Sequence, residues 1–256
     1  MNHEDNQRVS RRMFLRDSAL VTGSGALVGL SASTATAQHT LNRVKAEGSG
    51  DRPERIIFLV VDGMSMAVPS LAEPFSQQTR GKGTNWLQLA GREDAARGYL
   101  STESRDSMVT DSAAASTAWG SGVHVNNGAI NTLPDGMRLT PIGPRARKAG
   151  WGIGLVTTTR LTHATPAGFV AAHPSRDAEE DIARQYLDVI DVGLGGGSRH
   201  FSATRRDDGD ELFKMFASEG HTVCRSAQEL RAATSANDTQ RVLGTFSDGH
   251  IPFAID

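Results

Sequence analysis

Apolar runs rich in branched residues recur along the chain, at residues 55–61, 152–158 and 189–194. Runs of this kind are typical of strands that are buried on both faces of a parallel sheet. Residues 98–101 and 241–246 carry shorter runs of the same type. The pattern therefore predicts several short, buried strands spread along most of the sequence.

Between these runs lie segments with helical signals. One begins near residue 64 and contains prolines, and another begins at Ser112 and is rich in alanine, the best helix former. Further helices are predicted to end near residue 150, to span 177–188 and to begin near Ser226, the last two opening with capping boxes. The alternation predicts an α/β fold with a doubly wound, mostly parallel sheet and helices on both faces.

The N-terminus has the three parts of an export signal. Residues 10–16 carry a twin-arginine pattern, a short apolar and glycine-containing run follows at 19–30, and Ala-Thr-Ala at 35–37 offers a cleavage site. We predict a twin-arginine signal peptide over residues 1–37, cleaved after Ala37. Because the apolar run is too short to span a bilayer, we expect no stable membrane anchor. The protein is then periplasmic or secreted, and its first partner is the twin-arginine export machinery.

Composition narrows the function of the remaining chain. We interpret residues 38–54 as a linker and 55–256 as one catalytic portion. The net charge of -2 gives no basic field for nucleic acid. The single cysteine, Cys224, cannot form a disulfide within the chain or a cysteine metal cluster. Any metal would have to bind oxygen or imidazole ligands.

Polar side chains follow the ends of two predicted strands and precede one helix. Asp62 comes directly after the first run, His163 and Thr165 follow the run at 152–158, and Asp111-Ser112 opens the alanine helix. The carboxyl ends of parallel strands share one edge of a sheet, so we expect these groups to meet there. Oxygen and imidazole ligands suit Mg²⁺ or Zn²⁺, and a serine beside such ions can act as a nucleophile.

Simpler interpretations exist for the same residues. Ser112 occupies the position of an ordinary N-cap on a buried helix, and Asp62-Gly63 is a common turn dipeptide. On the helix start alone, the cap and the nucleophile are equally good interpretations. The convergence with the other strand ends favours the nucleophile.

Taken together, these motifs resemble the alkaline phosphatase family. The Thr-Asp-Ser-Ala-Ala and His-Ala-Thr-Pro motifs are specific to it, and the others occur in the family's order with similar spacing. The matching segments are residues 57–64, 109–114, 126–130, 163–166, 175–176 and 194–197.

The resemblance implies a catalytic role for three residues. Ser112 would be the nucleophile that becomes a phosphoserine during hydrolysis of small phosphomonoesters. Arg176 would bind the phosphate oxygens with its planar guanidinium group. Asp111 would orient Arg176.

The resemblance also implies a metal site with two Zn²⁺ ions and one Mg²⁺. Asp62 would bridge a zinc site and the magnesium site, and Ser112 would lie next to the metals. His163 and Thr165 would belong to the magnesium shell, with Thr165 as a direct ligand. The family has Asp or His at the position of His163, which leaves the preferred metal of this site open.

Zinc-ligand motifs of the family's second half are not found in this sequence. We therefore expect a truncated, incomplete alkaline-phosphatase-like domain with very low activity by itself. The alternatives are a non-catalytic remnant and a related phosphodiesterase or sulfatase-like hydrolase. Homodimers are common in the family, and one is possible here.

Two further residues are interpreted as structural. His250 has no ligand-like neighbours in the sequence, so we expect it to be a structural or surface residue. Glu179 belongs to the predicted capping box of the helix at 177–188, and we do not expect it to bind a metal.

Overall fold

A computed structural model describes residues 53–235 and 241–253. The chain divides into two units, residues 1–58 and 59–256. The first is described only from Pro53 and has no helix or strand in that part. The predicted signal peptide at 1–37 and most of the linker at 38–54 lie outside the described residues and stay predictions.

A parallel sheet of four strands forms the centre of the second unit. Its strands are β1 (Gly154–Arg160), β2 (Val192–Gly196), β3 (Thr222–Cys224) and β4 (Val242–Thr245), in the spatial order β1-β2-β4-β3. Val192 on β2 pairs with Gly154 on β1 and with Val242 on β4. The predicted α/β fold with a mostly parallel sheet is confirmed.

Helices precede the sheet and connect its strands. Their bounds in the described residues are α1 (Ala67–Arg80), α2 (Asn85–Ala90), α3 (Ser112–Ser121), α4 (Ile142–Lys148), α5 (Ala164–Ala167), α6 (Glu179–Gln185), α7 (Leu212–Ser218) and α8 (Ala227–Ser235), with a 3₁₀ turn at Ser198–His200. None of them is long and apolar enough to cross a membrane.

Two predicted strands do not form. Residues 55–61 and 98–101 have no strand structure, and the side chains of Ile57 and Tyr99 are 82% and 92% exposed. An apolar run becomes a strand only when a neighbouring backbone completes its hydrogen bonds, and local sequence does not supply that neighbour. The prediction of strands at these two places is therefore wrong.

Strand β1 is less buried than its sequence predicts. It pairs only with β2 among the described strands, so it forms an edge of the sheet, and Val156 is 76% exposed. The strong apolar character of the run indicated burial on both faces. Leu155 is buried, so one face of the strand is covered, whereas the face that carries Val156 is exposed.

One of the two predicted capping boxes is confirmed in part. Ser226 Oγ accepts a hydrogen bond from the Glu229 amide at 3.2 Å, as such a box requires. At α6 the N-cap residue is Ala178, which has no side-chain cap, so the capping box predicted at 177–180 is wrong. The Glu179 carboxylate is drawn instead to Arg160, with Nε–O distances of 2.8 and 2.9 Å.

The sequence patterns do not indicate α7 or β3. Both are short, and the strand has three residues. Their burial comes from packing: Phe213 and Phe216 of α7 contact Phe201, with ring centroids 5.6 and 6.0 Å apart. Because the contact joins residues that are distant in the sequence, it produces no local hydrophobic periodicity from which these elements could be predicted.

Helix α3 lies inside the protein because its residues are small. From Ala113 to Ala118 its side chains are buried, and it packs against the segment that ends α5. A Cβ atom added at Gly168 would lie 2.3 Å from Ser116 Cβ, so the two backbones approach more closely than a side chain would allow. Small residues on both sides thus set the distance between α3 and α5.

Asn131 links the same two helices by hydrogen bonds. Its fully buried amide donates to the carbonyls of Gly168 and Ala171, at 2.8 and 2.7 Å. Its backbone N–H donates to Thr117 Oγ1 on α3 at 2.8 Å. The residue adopts φ = 46°, a left-handed conformation that asparagine tolerates better than most residues.

Gly168→Ala tests this close approach. We expect it to lower the free energy of unfolding by about 2 kcal/mol or more, because the new methyl group overlaps Ser116. Urea unfolding followed by circular dichroism measures the loss. Gly98→Ala is the control, since a Cβ there meets nothing within 4 Å. Equal stability of the two variants would contradict the packing argument.

The environment of Asp191 makes the stability of the protein depend on pH. Burial alone would raise the pKa of this carboxyl, but the Ile153 amide and Arg147 hydrogen-bond to it and hold the pKa below its ordinary value. A lowered folded-state pKa gives stability that is complete above the unfolded pKa of about 3.9 and is lost as the pH falls through the folded value.

The variant Asp191→Asn tests this dependence. We expect it to be about 1–2 kcal/mol less stable than wild type at pH 7 and to lose less stability between pH 6 and pH 3. Urea unfolding at a series of pH values measures both effects. Parallel curves for the two proteins would show that Asp191 does not contribute.

Candidate active site

Asp111 begins helix α3. Its Oδ1 accepts a hydrogen bond from the Ala114 amide at 2.9 Å, so Asp111 is the N-cap and Ser112 is the first helical residue. The sequence pattern predicts the N-cap one residue later, at Ser112. Because Asp111 satisfies the cap, the Ser112 hydroxyl is free to point elsewhere.

Asp62, Ser112 and Thr165 converge through their oxygen atoms. Ser112 Oγ donates to Asp62 Oδ2 at 2.8 Å, and Thr165 Oγ1 donates to the same oxygen at 2.7 Å. Partial burial by itself raises the pKa of Asp62, yet the hydrogen bonds from Thr165 and Ser112 outweigh this and hold the pKa below its ordinary value. The carboxylate is therefore negative at neutral pH and orients both hydroxyls.

Arg176 lies between Asp111 and His163. Its Nη1 donates to Asp111 Oδ2 at 3.0 Å, and its Nη2 is 2.9 Å from His163 Nε2. The Arg176 side chain is about three-quarters buried, which limits screening of its charge by water. The predicted pairing of Asp111 with Arg176 is present in the structure.

Gly128 joins the serine turn to Arg176. Its N–H donates to Asp111 Oδ2 at 2.9 Å, and its carbonyl accepts from the Arg176 amide at 2.7 Å. It adopts φ = 80°, which favours glycine. Beside it, the Asn127 side chain accepts from the Asp111 amide at 2.8 Å. In the sequence, only the family resemblance marks the segment at 126–130, and these hydrogen bonds give it a physical role.

His250 lies next to His163. Their ring centroids are 5.7 Å apart with an edge-on arrangement. The sequence around His250 shows no ligand-like neighbour, because 87 residues of chain separate it from His163 and hide the contact from any local motif. His250 itself is exposed. Burial, with the positive charges of Arg176 and Arg160, lowers the pKa of His163, so its ring is neutral at pH 7.

The converging side chains fit part of a metal shell. Within residues 53–235 and 241–253, no three His, Cys, Asp or Glu side chains come together as metal ligands. The carboxylate of Asp62 and the hydroxyls of Ser112 and Thr165 are hard oxygen donors that suit Mg²⁺ or another divalent cation. His163 Nε2 faces Arg176 instead. The oxygen set fits such an ion but supplies fewer ligands than a complete shell.

The arrangement can bind a tetrahedral anion next to a nucleophile. The first turn of α3 presents backbone N–H groups and the positive end of the helix dipole. Arg176 adds a fixed guanidinium group beside Asp111. A serine hydroxyl oriented by a carboxylate lies at the same helix start. Phosphoryl or acyl transfer is the chemistry that these groups support.

Comparison with known proteins identifies the family of this chain. The family model described as alkaline phosphatase matches residues 54–256. The chain belongs to the alkaline phosphatase family. Alkaline phosphatase 4 of Bacillus subtilis is 33% identical over 215 residues, which cover 80% of this chain and 45% of that protein.

Solved alkaline phosphatases have the same fold. The enzyme from Thermus thermophilus matches with a TM-score of 0.70 and 41% identity, over 76% of this chain and 40% of its own. A variant of the alkaline phosphatase from TAB5 with Mg bound matches with a TM-score of 0.61 and 28% identity, over 71% of this chain and 51% of its own. The chain therefore spans about half the length of the alkaline phosphatases that it matches.

Gly128→Ala tests the link between Asp111 and Arg176. The positive φ makes us expect a loss of about 1–2 kcal/mol in the free energy of unfolding. Gly136→Ala, at φ = 85° in a turn of its own, is a matched control with a similar loss. We expect the stabilisation by inorganic phosphate, measured as a Tm shift, to fall only in Gly128→Ala. A similar fall in both variants would contradict the link.

Proposed function

We propose that this chain carries a phosphomonoester hydrolase centre with Ser112 as its nucleophile. The observation that supports this is the position of Ser112: its Oγ donates to Asp62 at the start of α3, and Arg176 is held beside it by Asp111. Membership of the alkaline phosphatase family supports the phosphoryl rather than the acyl reaction. The substrates would be small phosphomonoesters.

The reaction would proceed in two displacements. In the first, Ser112 Oγ bonds to phosphorus, the ester P–O bond breaks, and the serine proton ends on the departing oxygen. In the second, a water oxygen bonds to phosphorus, the bond to Ser112 breaks, and the serine regains a proton. The products are an alcohol and inorganic phosphate.

The surrounding residues would stabilise charge and position the reactants. Arg176 would donate two hydrogen bonds to the non-bridging phosphate oxygens, for which its planar fork is suited. The first turn of α3 would bind the same anion with backbone N–H groups. Asp62, whose pKa is lowered, would orient the Ser112 hydroxyl while staying ionised. Phosphoryl transfer depends mainly on such positioning and charge neutralisation.

Asp62, Ser112 and Thr165 would hold a divalent cation, Mg²⁺ or Zn²⁺. When bound, such an ion supplies positive charge that favours the serine alkoxide and the phosphate. The hard oxygen donors support this assignment, as does the related TAB5 variant with Mg bound. His163 would join the shell only after turning away from Arg176.

A second candidate function is a module that folds without turnover. It is favoured by the small ligand set, because in the described part of the chain no three His, Cys, Asp or Glu side chains converge on a metal. Catalytic metal sites usually have about three protein ligands. Formation of a phosphoserine separates the two candidates.

The protein would act after export. Residues 1–37 support a twin-arginine signal through their Arg11-Arg12 pair, apolar run and Ala37 cleavage site. The catalytic portion would then be residues 55–256, in the periplasm or outside the cell.

Ser112→Ala tests the nucleophile. The chain is incubated with Zn²⁺, Mg²⁺ and an aryl phosphate, quenched in acid, and searched for phosphoserine by mass spectrometry. We expect phosphate on Ser112 in wild type and none in the variant. Calorimetry should show weaker Mg²⁺ binding by the variant, because it lacks one of the three proposed oxygen ligands. Ser116→Ala is the control on the same helix, since its hydroxyl donates only within α3, to the Ala113 carbonyl. Phosphoserine in Ser112→Ala, or none in wild type, would reject the proposal.

A further inference from the structure

A buried carboxylate lies behind the candidate active site. Glu179, the first residue of α6, is 6% exposed, although it does not cap its helix. Ionised carboxylates are rarely buried unless they are paired, because burial removes the water that stabilises their charge. The position of Glu179 therefore needs partners that offset this cost.

Three side chains supply those partners. Arg160 Nε lies 2.8 and 2.9 Å from the two carboxylate oxygens, Thr162 Oγ1 donates to Oε2 at 2.5 Å, and His200 Nε2 lies 3.2 Å from Oε2. Burial raises the pKa of Glu179, but the hydrogen bonds from Arg160 and Thr162 lower it further than burial raises it. The carboxylate is thus charged at neutral pH, and both of its oxygens accept hydrogen bonds.

These contacts hold one short turn, residues 160–163, which begins at the last residue of β1 and ends directly before α5. Thr162 is buried at its centre. The Leu161 carbonyl accepts a hydrogen bond from Tyr186 Oη at 2.8 Å, and the Leu161 amide donates to the Gly196 carbonyl at 3.0 Å. Leu161 is therefore hydrogen-bonded both to Tyr186, at the end of α6, and to Gly196 of β2.

The turn carries the candidate site residues. His163 is its last residue, and Thr165 follows in the first turn of α5. Arg160 is also linked to His163 through His250. Its Nη1 lies 2.8 Å from His250 Nε2, and the His250 ring packs edge-on against the His163 ring. Glu179 thus acts on His163 along the backbone and through Arg160.

We propose that Glu179 is a positioning residue for the active site. Through Thr162 and Arg160 it fixes the turn that directs His163 and Thr165 toward Asp62 and Arg176. This role rests on the proposed function, because it matters only if the Asp62–Thr165 contact belongs to a working site. Residues that orient metal-binding and catalytic groups affect metal affinity or activity by about 10–100-fold when replaced.

A second ion pair, between Asp191 and Arg147, gives a matched control. Asp191 precedes β2 at the opposite, amino end of the sheet, and it binds Arg147 and the Ile153 amide. Like Glu179, it is a paired and partly buried carboxylate. The loss of its charge destabilises the protein without touching the turn at 160–163.

The experiment compares Glu179→Gln, Thr162→Val, Thr162→Ser and Asp191→Asn in the full chain. Thr162→Val removes only the donated hydrogen bond at nearly constant volume, and Thr162→Ser restores it. Hydrogen exchange at the amides of residues 161–165 measures the order of the turn. Calorimetry with Mg²⁺ alone measures the affinity of the candidate site for the ion.

We expect faster exchange at residues 161–165 in Glu179→Gln and Thr162→Val, and Mg²⁺ affinity about 10–100-fold weaker than in wild type. Thr162→Ser should match wild type in both measurements, and Asp191→Asn should lose stability while keeping both. Unchanged exchange in Glu179→Gln and Thr162→Val would overturn the proposal. So would an equal increase in Asp191→Asn.

Failure of the proposed function gives a different result. If wild type forms no phosphoserine and binds no Mg²⁺, the hydrolase proposal is rejected. Exchange at residues 161–165 still decides whether Glu179 fixes the turn, because that measurement needs neither metal nor turnover.

Discussion

The carboxylate of Asp111 is the interaction on which the candidate site depends. One oxygen caps α3, and the other accepts hydrogen bonds from the Gly128 amide and Arg176. A single side chain therefore sets the start of the helix, the position of the Ser112 hydroxyl and the position of the guanidinium group. Charge-assisted hydrogen bonds of this kind are stronger and shorter than neutral ones, which suits a group that must hold several elements together.

Close packing of small residues fixes the position of α3, the helix that Asp111 caps. Helix α3 approaches the segment after α5 so closely that Gly168 could not be any other residue without displacing Ser116. Asn131 adds buried hydrogen bonds between the same segments. Ser112 on α3 and Thr165 on α5 are consequently placed relative to each other by rigid elements. Asp62, which comes from a loop, meets both through one carboxylate oxygen.

Much of the fold could be predicted from the sequence, because its main signals are local. Strands β1, β2 and β4 follow apolar runs, α4 ends with cations before Gly150, and α3 begins at the Asp-Ser-Ala sequence. Predictions failed where a partner decides the outcome. The run at 55–61 is as apolar as β1, yet it forms no strand, and β1 itself lies at an edge. Neighbouring backbone, which the local sequence does not show, makes that difference.

By itself, the sequence indicated the candidate site residues: a serine at a helix start, an acid after an apolar run, a hydroxyl after a strand, and an arginine in a polar turn. These are properties of residue type and spacing, and they were sufficient to indicate the alkaline phosphatase family. Only the tertiary structure decided that Asp111 rather than Ser112 caps α3, that Gly128 joins Asp111 to Arg176, and that His250 and Glu179 lie behind His163. The reason is physical. Each of these contacts joins segments that are distant in the sequence, and only the packed chain brings them within hydrogen-bonding distance.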